Sequence, residues 1–307
     1  MSLENIFYNK LSEKIGTKSK YDCLVLFSGG KDSTYLAHLI KQVKGERVCL
    51  FTVDNSFEDD IQAKKVAEQL NLDLFIYKPK VKDILKFYNF LLTDPVIKDL
   101  DDNPLCYICN RYFTSLGMHF ADKLGIPFVA SGTTAAQIFG TKAQMSERMI
   151  DIAEEMLKAR FEKTYDTIKT SERYKTDTDV KDIIDKTFIC PEGVSVIHPF
   201  LYFGYNISQI KKELEAEYQW ENPTPGVSNV EYTTSGCKLT RLFGIFKEKL
   251  GFKFHELNEF KLDYENGSLT KEEFEHATSY FKDMISKELD CEMKCIVEKL
   301  GLNGQLL

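Results

Sequence analysis

The chain has 307 residues, 43% hydrophobic and 12% aromatic, enough for a sizeable core and for two domains or one domain with a large appendage. A formal charge of −7 provides no global basic footprint for nucleic acid and favours a small-molecule substrate. There is no run of about 18 apolar residues to cross a membrane, and Met1-Ser2-Leu3-Glu4-Asn5 lacks the basic region and apolar core of a signal peptide, so a cytoplasmic protein is expected. In that setting eight cysteines point to metal binding, sulfur chemistry or burial rather than disulfides.

Leu3, Ile6, Phe7, Leu11 and Ile15 predict a leading helix within residues 1–20. Cys23-Leu24-Val25-Leu26-Phe27 reads as a short buried strand, broken by Ser28-Gly29-Gly30 and followed by a helix over 33–43. Val48–Val53 is a second strand, 58–70 an amphipathic helix and Leu74–Tyr77 a third strand. This alternation predicts an α/β fold with a doubly wound parallel sheet. Ligands of such sheets bind beyond the strand carboxyl ends, which puts Ser28 to Ser33 and Asp54-Asn55 on one rim. A helix over 81–92 and an acidic linker ending at Pro104 lead to Cys106-Tyr107-Ile108-Cys109, and a further helix runs through Phe113 to Leu124. Ile126–Ala130 is another strand, closed by Ser131-Gly132-Thr133-Thr134-Ala135-Ala136-Gln137, a second small-residue turn on the same rim. Residues 141–186 are charged and helical in pattern, a candidate insertion over the site. Phe188-Ile189-Cys190 and Val194–Phe200 suggest the last strand and exit, and Ser208 a helix N-cap. From 204 to 307 the pattern is mainly helical, with Thr270 and Glu273 at capping-box spacing. The expected organisation is therefore a leading helix at 1–20, a core domain at 21–203 and a helical C-terminal region.

The stretch from Ser28 to Thr34 carries the chemistry. Two glycines let the backbone approach a ligand, and the helix start offers free N–H groups and a dipole that favours an anion. Lys31 adds positive charge, and Ser28, Ser33 and Thr34 add hydroxyls. Asp32 after Gly30-Lys31 is not the Ser or Thr of a Walker loop, and the spacing is not that of a dinucleotide turn. The loop closely resembles the S-G-G-x-D-S loop of the PP-loop, or N-type, ATP pyrophosphatases. The resemblance implies an adenine nucleotide alpha hydrolase-like fold and cleavage of ATP between its α and β phosphates. Lys31, Asp32 and Ser33 are then the expected catalytic residues, and Ser28, Gly29, Gly30, Ser33 and Thr34 the expected phosphate cradle. A carboxylate beside such a cradle makes chemical sense if Asp32 meets Mg²⁺. The resemblance also brings Val53 and Asp54 near the adenosine and makes Ser131 and Gly132 part of a second nucleotide loop.

Cys106-x-x-Cys109 is a two-thiolate pincer that zinc, an iron–sulfur cluster or redox chemistry would each use. The tRNA 2-thiolation enzymes of this superfamily hold a [4Fe–4S] cluster with a C-x-x-C and one distant cysteine, which follows an [R/H]-P-[L/F] exit and a helix. Here His198-Pro199-Phe200 and the helix from Ser208 precede Cys237, so the resemblance makes Cys106, Cys109 and Cys237 a candidate cluster or zinc site, with Cys190 a weaker third ligand. The alternative is that Cys106 and Cys109 face a helix start and Cys237 is a small buried residue.

The turn at 131–137 has no His and no Asp, unlike the G-H-H-x-D-D form of the thiolation enzymes. Tyr21-Asp22-Cys23-Leu24 ahead of the loop, Ile76-Tyr77-Lys78-Pro79, and Asn266 through Phe274 resemble the N-acetyl sugar amidotransferase (lipopolysaccharide-biosynthesis) branch. That likeness implies adenylation of the amide oxygen of an N-acetyl sugar nucleotide, then attack by ammonia from a separate glutaminase subunit. Two other readings stay open. One is sulfur transfer from a sulfur donor to tRNA or a small molecule, with tRNA disfavoured by the acidic charge. The other is a nucleotide-binding protein without turnover, which Asp32 argues against.

Overall fold

The structure, a computed structural model, describes residues 2–13, 19–57, 60–100, 104–135, 138, 145–203, 205–218, 220, 238–250, 256–265, 267, 269–286 and 289–306. Its strands are β1 (Cys23–Leu26), β2 (Val48–Val53), β3 (Asp73–Tyr77), β4 (Phe128–Ala130) and β5 (Ser195–Ile197). They form one parallel sheet in the order β3-β2-β1-β4-β5. The fold is thus the expected doubly wound α/β sheet, and its winding reverses between β1 and β4, where such sheets open a crevice.

The helices in chain order are α1 (Leu3–Glu13), α2 (Lys31–Lys44), α3 (Ile61–Leu70), α4 (Val81–Thr93), α5 (Pro95–Lys98), α6 (Pro104–Leu124), α7 (Glu147–Ile168), α8 (Glu172–Thr176) and α9 (Thr178–Phe188). They continue as α10 (Ile207–Tyr218), α11 (Lys238–Leu250), α12 (Glu256–Glu265), α13 (Lys271–Ser286), α14 (Cys291–Lys299) and α15 (Asn303–Leu306). The period of two sorts the strand residues between two cores. Leu24, Cys49, Phe51 and Val129 join one core with Phe87, Ile108, Ile184, Phe243 and Val297. Cys23, Val25, Leu50 and Ala130 join the other with Phe7, Leu36, Val66 and Leu214. Strands covered on both faces explain the unbroken apolar runs of β1 and β2. On the first face α6 presses against β1 because Gly117 has no side chain, and a Cβ there would lie 2.7 Å from Leu26 Cδ2.

Several elements differ from the sequence expectation. Helix α2 begins at Lys31 rather than 33, so Gly30 is its N-cap. Helix α6 already begins at Pro104, where a missing N–H costs no hydrogen bond, so the C-x-x-C lies inside its first turns and not ahead of them. Phe188 ends α9, and only Ser195–Ile197 pairs with β4, so 188–190 is not a strand. The side chain that accepts a first-turn N–H of α10 is Asn206, from Gln209 N at 2.9 Å, in place of Ser208. Within 141–186, α9 packs against α4 and α6, burying Ile183 and Ile184 in the first core. Both bonds of the Thr270–Glu273 capping box are present. No described helix is long and apolar enough to cross a membrane.

Candidate active site

The loop between β1 and α2 is held in shape by its own hydroxyls. Ser33 Oγ accepts from Ser28 N at 3.1 Å, donates to Gly30 O at 3.2 Å and lies 3.2 Å from Ser28 Oγ. Gly30 N donates to Ser28 Oγ at 3.3 Å. Gly29 has φ +78°, and a Cβ on it would lie 2.8 Å from Ala63 N and 2.9 Å from Ala63 Cα, so only glycine fits against the start of α3. The carbonyl of Gly29 accepts from the indole of buried Trp220 at 3.2 Å. No side chain caps α2 at Gly30, which leaves its first-turn N–H groups to an anion.

Lys31 and Asp32 are paired at the start of α2. Lys31 Nζ donates to both Asp32 oxygens at 2.8 Å, and the Tyr205 hydroxyl accepts from Lys31 at 3.0 Å while donating to Asp32 Oδ1 at 2.8 Å. The Lys31 side chain is 16% exposed and that of Asp32 39%. Burial favours the neutral amine of Lys31, but the Asp32 charge and the Tyr205 hydroxyl outweigh it and hold the ammonium form. Burial pushes the Tyr205 hydroxyl upward, so it stays a neutral donor. Thr34 is wholly buried, and its Oγ1 has no hydrogen-bond partner among the described residues. Its hydroxyl is thus turned inward, and the exposed hydroxyl of the loop is that of Ser28.

Ser28, Val53, Asp54, Ser131 and Gly132 come together on one cavity of about 270 Å³ beyond the carboxyl ends of β1, β2 and β4. Asn55, Asp60, Asn110, Phe113 and Thr133 are also in its wall. Burial raises the Asp54 carboxyl, but the Ser56 N–H at 2.9 Å and Lys78 at 3.0 Å more than reverse this and hold it below the ordinary carboxylate value. A larger depression of about 770 Å³, lined by Lys20, Glu46, Asn71 and Asp73 and running along α3 and β3, contains no loop residue. Sequence reasoning missed Asn110, Phe113, Tyr205 and Trp220. Asn110 and Phe113 carry a usable signal, since each lies four residues after a cysteine of the C-x-x-C and shares its helix face.

Cys106 and Cys109 lie one turn before Asn110 and Phe113 on α6, both half-buried and packed against the first core, and neither lines the cavity. Cys109 Sγ is 3.3 Å from the Tyr88 hydroxyl. Cys190 is engaged elsewhere, 2.9 Å from Arg111 Nη2 and 3.4 Å from Ser115 Oγ. Among the described residues no group of three or more His, Cys, Asp or Glu is arranged for one metal ion, and Cys237 lies outside them. The loop does fit a magnesium polyphosphate: it offers a partly exposed carboxylate, a lysine and an uncapped helix start.

The protein is similar to several solved structures of low identity. The NH3-dependent NAD synthetase from Campylobacter jejuni is 14% identical over 60% of this chain and 90% of its own, with a TM-score of 0.33. The U34-tRNA thiolase from Methanococcus maripaludis, solved with its [4Fe-4S] cluster, is 15% identical over 94% of this chain and 82% of its own, with a TM-score of 0.38. The NMN synthetase from Francisella tularensis is 10% identical over 94% and 96%, with a TM-score of 0.33. No curated protein matches. The sequence model of the asparagine synthase family matches residues 14–181, which hold the loop, the first four strands and the whole wall of the cavity. The chain belongs to the asparagine synthase family, within the PP-loop ATP pyrophosphatase superfamily of ATP-using enzymes.

Proposed function

We propose that the protein transfers AMP from ATP to an amide or carbonyl oxygen of a small molecule, and that ammonia then displaces the AMP. An N-acetyl sugar nucleotide is the acceptor class that the sequence resemblance favours. The observation that carries the reading is that the glycine loop borders, through Ser28, a cavity walled by the ends of β1, β2 and β4. The pyrophosphate end of ATP would rest on the first-turn N–H groups of α2 and on Lys31, with the nucleoside toward Val53 and Asp54. Asp32 would hold a magnesium ion, which supplies charge neutralisation of the leaving pyrophosphate. The substrate oxygen attacks the α-phosphorus, the bond to the bridging oxygen breaks and pyrophosphate leaves. Attack of nitrogen on the adenylated carbon then expels AMP. Preorganised donors aimed at the leaving group make electrostatics the main contribution of the chain.

Cys106 and Cys109, one turn before the cavity-lining Asn110 and Phe113 on α6, favour a second reading, sulfur transfer onto the same adenylated carbon. One assay separates the two. The purified protein is incubated with MgATP, ammonium chloride and candidate N-acetyl sugar nucleotides, and AMP, pyrophosphate and acceptor mass are followed. Formation of AMP and pyrophosphate together, with acceptor mass changed by replacement of O by NH, supports amidination. Product that forms only with a sulfide donor, and is lost in Cys106→Ser, supports sulfur transfer. Release of ADP and phosphate instead would overturn both.

A further inference from the structure

Tyr205 stands ahead of α10 and is separated from Asp32 by 173 positions in the sequence, yet its hydroxyl reaches both charged residues of the loop. Lys31 and Asp32 are neighbours in a helix, where successive side chains point about 100° apart, so helix geometry does not by itself bring them together. The Tyr205 hydroxyl closes them into a three-membered ring, accepting from Lys31 and donating to Asp32 Oδ1. Its position is set by ring packing as well as by the charges, with Lys31 Nζ 5.7 Å from the ring centroid. The Tyr205 ring packs edge-on against Phe200 at 5.2 Å between centroids, and Phe200 stacks on Tyr35 of α2 at 6.4 Å. The hydroxyl is therefore fixed to the same helix whose first turn it organises.

We propose that Tyr205 is a positioning residue for the Asp32 carboxylate and the Lys31 ammonium, and that the magnesium dependence of polyphosphate binding runs through its hydroxyl. The inference rests on the reading of the loop as a polyphosphate site. Without the hydroxyl, Asp32 loses its neutral donor and Lys31 loses one acceptor, so the direct pair that the two already make is no longer shared with a third group. A cation then has to compete with the full ammonium for the carboxylate, whereas a polyphosphate alone meets the same N–H groups as before. A phenyl ring keeps the packing on Phe200, while the substitution removes the hydrogen bonds to Lys31 and Asp32.

The test compares the full-length protein with Tyr205→Phe by calorimetric titration of inorganic pyrophosphate, across a series of MgCl2 concentrations and in EDTA. The expected result is that the MgCl2 concentration for half-maximal pyrophosphate binding rises about tenfold in the variant. In EDTA the affinity falls by less than about threefold, and the thermal midpoint of the ligand-free protein stays within a few degrees. An unchanged magnesium dependence overturns the proposal. So do equal losses with and without magnesium, including those of a variant that unfolds, because they mark a purely structural role. A wild-type protein that binds no pyrophosphate in either condition would remove the loop reading itself, an outcome distinct from failure of Tyr205 alone.

Discussion

Replacing Gly29 by alanine should damage the loop more than a left-handed backbone alone explains. At φ +78° an L residue costs about 1–2 kcal/mol. The added Cβ would also lie 2.8 Å from Ala63 N and 3.0 Å from Gln62 C, both backbone atoms of α3 that no rotamer change can move aside. Overpacking of this kind costs about 1–3 kcal/mol more. Gly301 is a fitting control, with φ +68° and its nearest Cβ neighbour, Asn89 Nδ2, at an ordinary 3.7 Å. Gly301→Ala should therefore show the backbone cost alone. The difference appears either as a thermal midpoint a few degrees lower in Gly29→Ala or, if the loop shifts to relieve the contact, as a fall in pyrophosphate affinity of about five- to a hundredfold. Differential scanning calorimetry and pyrophosphate titration on both variants measure the two routes. If Gly29→Ala melts with Gly301→Ala and binds pyrophosphate like the wild type, the close approach of loop and α3 is refuted.

Three further predictions follow from the site and the core. Asp32→Asn should abolish pyrophosphate release from MgATP while leaving the thermal midpoint near that of the wild type, and unchanged turnover would sink the role given to Asp32. Gly117→Val should destabilise the protein by about 1–3 kcal/mol in urea unfolding, because the new side chain enters the contact of α6 with Leu26 and Leu24. His198 is driven down to about 4 by burial alone, and its Nδ1 has no hydrogen-bond partner among the described residues. The unfolded chain, titrating near the ordinary 6.5, binds that proton first, so the contribution is complete above pH 6.5 and is lost as the pH falls toward 4. The loss should be at most about 3 kcal/mol, read from urea midpoints between pH 7 and 4, and His198→Gln should flatten that part of the profile.

The loop was legible because its signal is local: Ser28 to Ser33 are contiguous and sit between an apolar run and a helical one. Val53, Asp54, Ser131 and Gly132 were legible by a different route, since parallel sheets bring the carboxyl ends of their strands to one rim. Tyr205 and Trp220 were not, because only the packing of α10 onto α2 brings them to residues more than 170 positions away. Thr34 looked like its neighbour Ser33, and nothing local tells which first-turn hydroxyl turns inward. The run 188–190 is too short to separate a helix end from a strand by periodicity. Pro104 read as the end of a linker, although proline is equally at home at the first position of a helix.

Trp220 is the only tryptophan of the chain, and its indole N–H rests on the carbonyl of Gly29. The intrinsic fluorescence of the protein therefore comes from a group bonded to the backbone of the phosphate loop. Any ligand that shifts the Gly29 peptide changes the polarity and hydrogen bonding at that indole, so its emission registers loop occupancy without a label. The carbonyl lies on the loop's own backbone, so the signal should respond to inorganic pyrophosphate before any acceptor is known. Unidentified acceptors could then be ranked by how they alter the signal once MgATP is bound.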